Sequence, residues 1–260
     1  MKNYVNKIPL GDNKFAYKQE PAFKVLGEEL CERFYSKWTP PSIFYHHRNG
    51  GHIAALRKHL DNEHFSKFDI SRYFYRISRN KIIRALKTCG FSFLEASEAA
   101  AHSVVNSGEG FNLPYGFTQS PLLASLCLNR SQAGEFLRRL DKDICVSVYV
   151  DDIIISHKDN PAKLAEVSEK LVERFNETGF PISEQKSAIS KGEVTSFNIA
   201  LSNNFMEITH ERMVGFFNQV VEGMHNDDVL GGIYNYVLSV NPTQAAEIRS
   251  AIDRAKARRS

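Results

Sequence analysis

Apolar positions recur along this chain in two rhythms, and each rhythm predicts a different element. From Pro21 to Ser36, the residues Phe23, Leu26, Leu30 and Phe34 are spaced for one face of a helix. Leu164, Val167, Leu171 and Phe175 repeat that spacing after Pro161, which suits a first helical turn, and Gly179 suits the position just past the helix end. Residues 80–105 read as helical with a division at Gly90. The apolar run Leu122 to Leu128, carried on through Phe136 and Leu140, reads as one further helix. From Thr209 onward the chain is helical, with breaks near Asn226–Asp228 and at Pro242. Phe65 to Ile70 reads as a short strand ending on Asp69, and Ile144 to Ser156 as a strand signal of two apolar runs interrupted by Asp151-Asp152. Lys186 to Ser190 and Val194 to Leu201 read as short strands, and Asn203-Asn204 as a turn into Phe205–Ile208. Ile43–Tyr45 and Ile53–Leu56 flank Asn49-Gly50-Gly51, a hairpin signal. Residues 1–20 are weakly patterned and read as an arm or loop, and Asn112–Pro121 as a Gly/Pro-marked loop.

The central order strand, helix, hairpin, helix, strand is the ferredoxin-like arrangement of an α+β fold. Length allows one compact catalytic body with a small appended subdomain; 42% apolar and 24% charged residues are ordinary for a soluble globular protein, and nothing suggests a disordered, collagen-like or solenoid chain. With 33 basic and 30 acidic residues, the net charge of +3 permits a nucleic-acid partner without arguing for one. Cys31, Cys89, Cys127 and Cys145 are scattered without metal-site spacing, so a reducing, cytoplasmic setting is expected. No apolar run is long enough for a membrane span, and no membrane role is expected.

The chemistry concentrates where acids break apolar strands. Tyr149-Val150-Asp151-Asp152-Ile153-Ile154-Ile155 places adjacent carboxylates in a β-branched hairpin. Burying them costs on the order of several kcal/mol per ion unless a cation compensates, and hard divalent cations favour carboxylate oxygens. A solvated Asp-Asp turn is the competing reading. Asp69 stands at a second strand end, Phe68-Asp69-Ile70-Ser71, where a helix N-cap is the competing reading. Two-metal phosphoryl transfer needs carboxylates converging from separate strands, which these segments supply. Ser120-Pro121 reads as a helix cap followed by the first helical residue.

Phe68-Asp69-Ile70, Leu113-Pro114-Tyr115-Gly116-Phe117-Thr118-Gln119-Ser120-Pro121 and Tyr149-Val150-Asp151-Asp152, in this order, resemble the three palm motifs of reverse transcriptases, over roughly residues 43–240. The resemblance implies a right-hand polymerase: an N-terminal arm and reduced fingers over residues 1–64, a palm over 65–208 with finger helices inserted at about 78–110, and a short helical thumb over 209–260. It implies that Asp69, Asp151 and Asp152, with the Ile70 carbonyl, hold two Mg²⁺ ions, with Mn²⁺ as a substitute. It makes Phe74 an aromatic gate against a ribose 2′-hydroxyl, with core packing as the alternative. Tyr115, Gly116, Gln119 and Ser120 would line the nucleotide and template base. Tyr115 departs from the Gln common in relatives. Lys186 would approach the triphosphate, with a solvated lysine as the alternative, and Val194–Leu201 would grip the primer. Arg48, His52 and Arg57 are the fingers candidates for the triphosphate, and Arg249, Arg254, Lys256, Arg258 and Arg259 the thumb candidates for phosphates.

The implied partners are an RNA template and a DNA primer or product, with a dedicated non-coding RNA. A second copy or partner protein to close the channel is expected from the short chain. The motif strings look most like bacterial abortive-infection and defence enzymes, ahead of retron and intron types, and no RNase H, integrase or maturase region is found. Template-independent or protein-primed synthesis is the alternative within the same chemistry. A catalytically silent palm that only binds RNA or a partner is the alternative outside it.

Overall fold

The computed structural model describes residues 2–11, 13–222 and 226–257. The chain begins with a hairpin, β1 (Tyr4–Gly11) and β2 (Lys14–Gln19), where the patterning indicates only an arm. The pattern is silent because β1 from Val5 onward is exposed on both faces, so no alternation is imposed on it. Helix α1 (Pro21–Tyr35) occupies its predicted span; the Glu20 carboxylate accepts from the Ala22 and Phe23 N–H groups, and Leu30 and Phe34 are buried.

The hairpin expected across residues 43–56 is not formed. A 3₁₀ turn (Tyr45–His47) and a short helix α2 (Gly51–Arg57) stand there instead. Gly50, at φ +85°, sets the entry into α2, and Ala54-Ala55 favour a helix over a strand.

Strand β3 (His64–Asp69) leads through a 3₁₀ turn (Tyr73–Arg76) to α3 (Arg79–Lys87) and α4 (Phe93–Ser103), which divide around Gly90 at φ +82°. A small hairpin follows, β4 (Val105–Asn106) and β5 (Phe111–Asn112). The single helix expected over 122–140 is two, α5 (Ser120–Asn129) and α6 (Gln132–Arg138). Ser131 divides them: its hydroxyl caps α6 by accepting from the Gly134 N–H. Helix α5 also starts one residue earlier than Ser120-Pro121 spells, with Gln119 in the capping position.

Strands β6 (Cys145–Tyr149) and β7 (Asp152–His157) form the acid-bearing hairpin, followed by α7 (Pro161–Glu177), whose Leu164, Leu171 and Phe175 are buried. Lys186 lies in a 3₁₀ turn (Glu184–Lys186) before β8 (Ala188–Lys191) rather than in the strand. The expected strand 194–201 is a pair, β9 (Glu193–Ser196) and β10 (Ile199–Ser202), joined by Phe197 and Asn198 at φ +56° and +58°. Strand β11 (Phe205–Ile208) and helices α8 (His210–Glu222), α9 (Asp227–Val240) and α10 (Pro242–Ala257) complete the chain. Arg258 and Arg259 lie outside the described residues.

The central sheet runs β6-β7-β3-β8 with antiparallel neighbours throughout, which is the ferredoxin-like order expected. Its two faces are covered differently. On one, Phe68, Ile153 and Ile155 pack with α5 and α7; α5 is apolar on every side and buried on every side. On the other, Phe65 and Ile154 join β9–β11 and the buried faces of α8–α10. Each large apolar side chain buried in that second cluster contributes about 1.5–3 kcal/mol, which fixes the three terminal helices to the back of the sheet. Among the described residues, no helix is long and apolar enough to cross a membrane.

Candidate active site

Asp69 ends β3 and Asp152 opens β7, and the two are direct partners in the antiparallel register. Asp151 lies in the tight turn after Tyr149, the register partner of Asp152. Backbone bonds stitch this region together: the Ile70 N–H donates to the Asp151 carbonyl at 3.0 Å, and the Ser183 N–H to the Asp69 carbonyl at 2.8 Å. The turn requires Val150 at φ +57°, a left-handed conformation that costs an L-residue about 1–2 kcal/mol. His46 supports it. Its Nδ1 accepts from the Val150 N–H at 3.4 Å, while its Nε2 lies 2.7 Å from Ser125 Oγ, which donates to the Pro121 carbonyl at 3.0 Å. Burial, and then the neighbouring His47, push the His46 pKa down to about 3, so the ring is neutral and its accepting nitrogen stays free for Val150.

Burial pushes the Asp151 carboxyl up to about 6, with Asp152 and Asp69 adding repulsion. Burial also raises Asp152, helped by Asp69 and opposed by Lys67. Lysines partner two of the three acids: Lys67 Nζ lies 3.6 Å from Asp152 Oδ1, and Lys186 Nζ lies 3.5 Å from Asp69 Oδ2. Ser196 Oγ also donates to Asp152 Oδ1 at 3.4 Å. Among the described residues, no three acidic, His or Cys side chains form a ready-made metal cage. The donor set nevertheless fits a hard divalent cation: it is carboxylate oxygen, and the burial and repulsion that raise Asp151 are what a cation would offset.

Beside the acids stands a wall of rings. Phe74 is 7% exposed and meets Tyr115 edge to face at 4.7 Å, and Tyr75 meets Tyr115 at 5.7 Å. Burial raises the Tyr115 hydroxyl pKa, with the charges of Asp151, Tyr75 and Asp69 adding to it and Arg72 opposing them. Phe74 also belongs to the main core, the packing role that its alternative reading gives it. Gly116 has φ +96°, and a Cβ there would stand 2.6 Å from the Tyr17 carbonyl oxygen. That approach is close because the Tyr17 N–H donates to the Tyr115 carbonyl at 2.8 Å, docking β2 on this loop.

The sequence profile of the family described as reverse transcriptase (RNA-dependent DNA polymerase) matches residues 24–215. The chain belongs to the reverse transcriptase family. Solved structures agree on the fold: the telomerase of Candida albicans, in complex with a fragment of telomeric RNA, aligns with TM-score 0.51 at 11% identity, covering 88% of this chain and 47% of that one. An RNA polymerase inside a dsRNA virus aligns with TM-score 0.53 at 10% identity over 92% of this chain and 25% of that one. A foamy viral protease–reverse transcriptase bound to double-stranded DNA is 17% identical over 95% of this chain and 43% of that one, with TM-score 0.48. The chain thus spans less than half the length of these structures. No curated protein matches it.

Within this reverse transcriptase domain, several expected nucleotide contacts are turned elsewhere. Gln119 is fully buried; its amide accepts from Gln19 Nε2 at 3.2 Å and donates to Ser103 Oγ at 3.1 Å, so it braces β2 and α4 rather than facing a nucleotide. Ser120 is 1% exposed, with no hydrogen-bond partner for its hydroxyl. The three fingers candidates also contact other elements. Arg57 donates to the Ser239 carbonyl of α9 at 2.6 Å, and Arg48 lies over the Tyr45 ring. His52 reaches the Tyr236 hydroxyl at 3.3 Å and packs among Tyr149, Phe197 and Tyr236. That ring cluster, with His46 and Arg72, went unread in the sequence. Arg72, three positions after Asp69 in the first acidic motif, carried a signal in its spacing; His46 and the rings carried none.

Proposed function

We propose that this chain is an RNA-directed DNA polymerase that extends a DNA primer by two-metal nucleotidyl transfer. One observation carries the reading: Asp69 and Asp152 are register partners, with Asp151 in the adjoining turn bonded back to Ile70. Asp69, Asp151, Asp152 and the Ile70 carbonyl would hold two Mg²⁺ ions, with Mn²⁺ as a substitute. Bound there, the ions lower the pKa of a primer 3′-hydroxyl and neutralise the triphosphate. The chain's own residues supply the rest. Phe74 and Tyr115 shape the sugar pocket and exclude a 2′-hydroxyl. Gly116 allows close backbone approach, Lys186 offers a proton toward the leaving group, and β9–β10 flank the primer end. We read the chain as fingers over 1–64, palm over 65–208 and thumb over 209–260, on the resemblance of its motifs. The likeness of Gly116–Ala124 and Tyr149–Ile153 to bacterial defence enzymes supports an antiphage role in the cytoplasm, with a dedicated non-coding RNA.

The test is incorporation of labelled dNTPs on an RNA template annealed to a DNA primer, with Mg²⁺, run beside a reaction lacking template. Template-dependent product supports the reading. Equal product without template, or product attached covalently to the protein, replaces it with template-independent or protein-primed synthesis. No product in any arm leaves the silent, RNA-binding palm.

A further inference from the structure

We propose that Arg72 grips the triphosphate of the incoming nucleotide, and that Glu109 holds its guanidinium until the nucleotide arrives. This rests on the polymerase reading above and names the part of the site that reading lacks. Nucleotidyl transfer beside three carboxylates needs a protein cation on the triphosphate as well as the metals. His52 and Arg57 contact Tyr236 and Ser239 of α9, and Arg48 lies over Tyr45 in its own turn.

Arg72 has the position and the chemistry. It follows Asp69, Ile70 and Ser71 directly and sits at φ +54°, where non-glycine residues are uncommon and where backbone strain gathers at ligand sites. Its guanidinium lies over the Tyr75 ring at 5.1 Å, and that ring meets Tyr115 edge to face at 5.7 Å, the same Tyr115 that packs on Phe74 beside the Asp69 strand end. Its Nε is buried with no hydrogen-bond partner, an unusual state for a charged donor. One guanidinium nitrogen, NH2, pairs with Glu109 Oε1 at 2.8 Å.

Glu109 is the exchangeable side of that pair. Its side chain is 53% exposed, on a tip between β4 and β5 where Gly108 and Gly110 have φ +92° and +120°. A half-exposed carboxylate holds an arginine weakly, whereas a polyphosphate brings more charge and a bidentate geometry that matches the guanidinium fork. The tip therefore acts as a place-holder that the substrate displaces.

The dTTP dependence of incorporation on a primed RNA template, and separately the calorimetric binding of inorganic tripolyphosphate with Mg²⁺, test this in the wild type, Arg72→Ala, Arg72→Lys and Glu109→Gln. Arg72→Ala is expected to raise the dTTP KM at least tenfold while kcat changes less than threefold, and to weaken tripolyphosphate in parallel. Arg72→Lys falls between, and Glu109→Gln tightens both. Unchanged KM and binding in Arg72→Ala overturn the proposal. So does weakening by Glu109→Gln equal to that of Arg72→Ala, the mark of a purely structural pair. If Arg72→Ala does not fold, Arg72→Lys and Glu109→Gln decide on the same criteria. A wild type that makes no DNA yet binds tripolyphosphate through Arg72 supports the grip and refutes the polymerase reading. A wild type that polymerises with an Arg72-independent KM does the reverse.

Discussion

Acidification is expected to loosen the catalytic turn through His46. The free histidine value is 6.5, and burial holds His46 at about 3 in the folded chain. A group whose folded pKa is depressed contributes stability above its unfolded pKa, and that stability is lost as pH falls toward the folded value. At pH 5 the unfolded state has bound the proton and the folded state has not, a difference of about 1.5 pH units or about 2 kcal/mol. Partial solvent contact lowers this to about 1–2 kcal/mol. His47, held at about 4, and His59, held at about 3 between Ser147 and Ser156, move in the same direction. Together the three remove up to about 6 kcal/mol between pH 7 and 5, comparable with the whole stability of a typical domain. Asp151, raised by burial, acts oppositely, so a single-site comparison is needed. Urea unfolding of the wild type and His46→Gln at pH 7.5 and pH 5 supplies it. Gln offers the Val150 N–H an acceptor without titrating, so its stability should fall by about 1–2 kcal/mol less than that of the wild type. An identical fall in both proteins would refute the assignment of a neutral, accepting His46.

Gly116→Ala should lower stability by about 2–3 kcal/mol, combining the positive φ with loss of the Tyr17–Tyr115 backbone bond. In thermal melting that is a drop of about 5–10 °C, and an unchanged melt would contradict the close packing of β2 on this loop. Phe74→Val should raise ribonucleotide use relative to deoxynucleotide use at least tenfold, about 1.4 kcal/mol, in single-nucleotide incorporation. An unchanged ratio would leave Phe74 with core packing alone.

The acids stand out in the sequence because burial makes them expensive: Asp151-Asp152 breaks a largely apolar, β-branched hairpin, Asp69 ends a neighbouring strand, and the fold pairs those strands. The helices with a one-sided apolar stripe, α1 and α7, were legible for the same reason. What was not legible depends on tertiary contact. Val150 and Phe197 take left-handed conformations that their side chains disfavour, so no local rule announces the turns they make. His46 steadies the first of these turns from more than a hundred positions away. The hairpin of β1 and β2 buries too little to leave an alternation, although the sequence Gly11-Asp12-Asn13 is a turn signal. Gly50-Gly51 misled because a glycine pair can open a helix as well as close a hairpin. Gln119 and Ser120 lie where a motif suggests nucleotide contact; both are buried, Gln119 bonded to β2 and α4.

The central claim is that Asp69, Asp151 and Asp152 form a polymerase metal site, and Asp151→Asn tests it most directly. On an RNA template with a DNA primer, dNTPs and Mg²⁺, the wild type should extend the primer. Asp151→Asn should extend it at least about a thousandfold more slowly, a loss of about 4 kcal/mol of transition-state stabilisation, while its thermal melt stays at or above that of the wild type. Extension by Asp151→Asn at the wild-type rate would contradict the account.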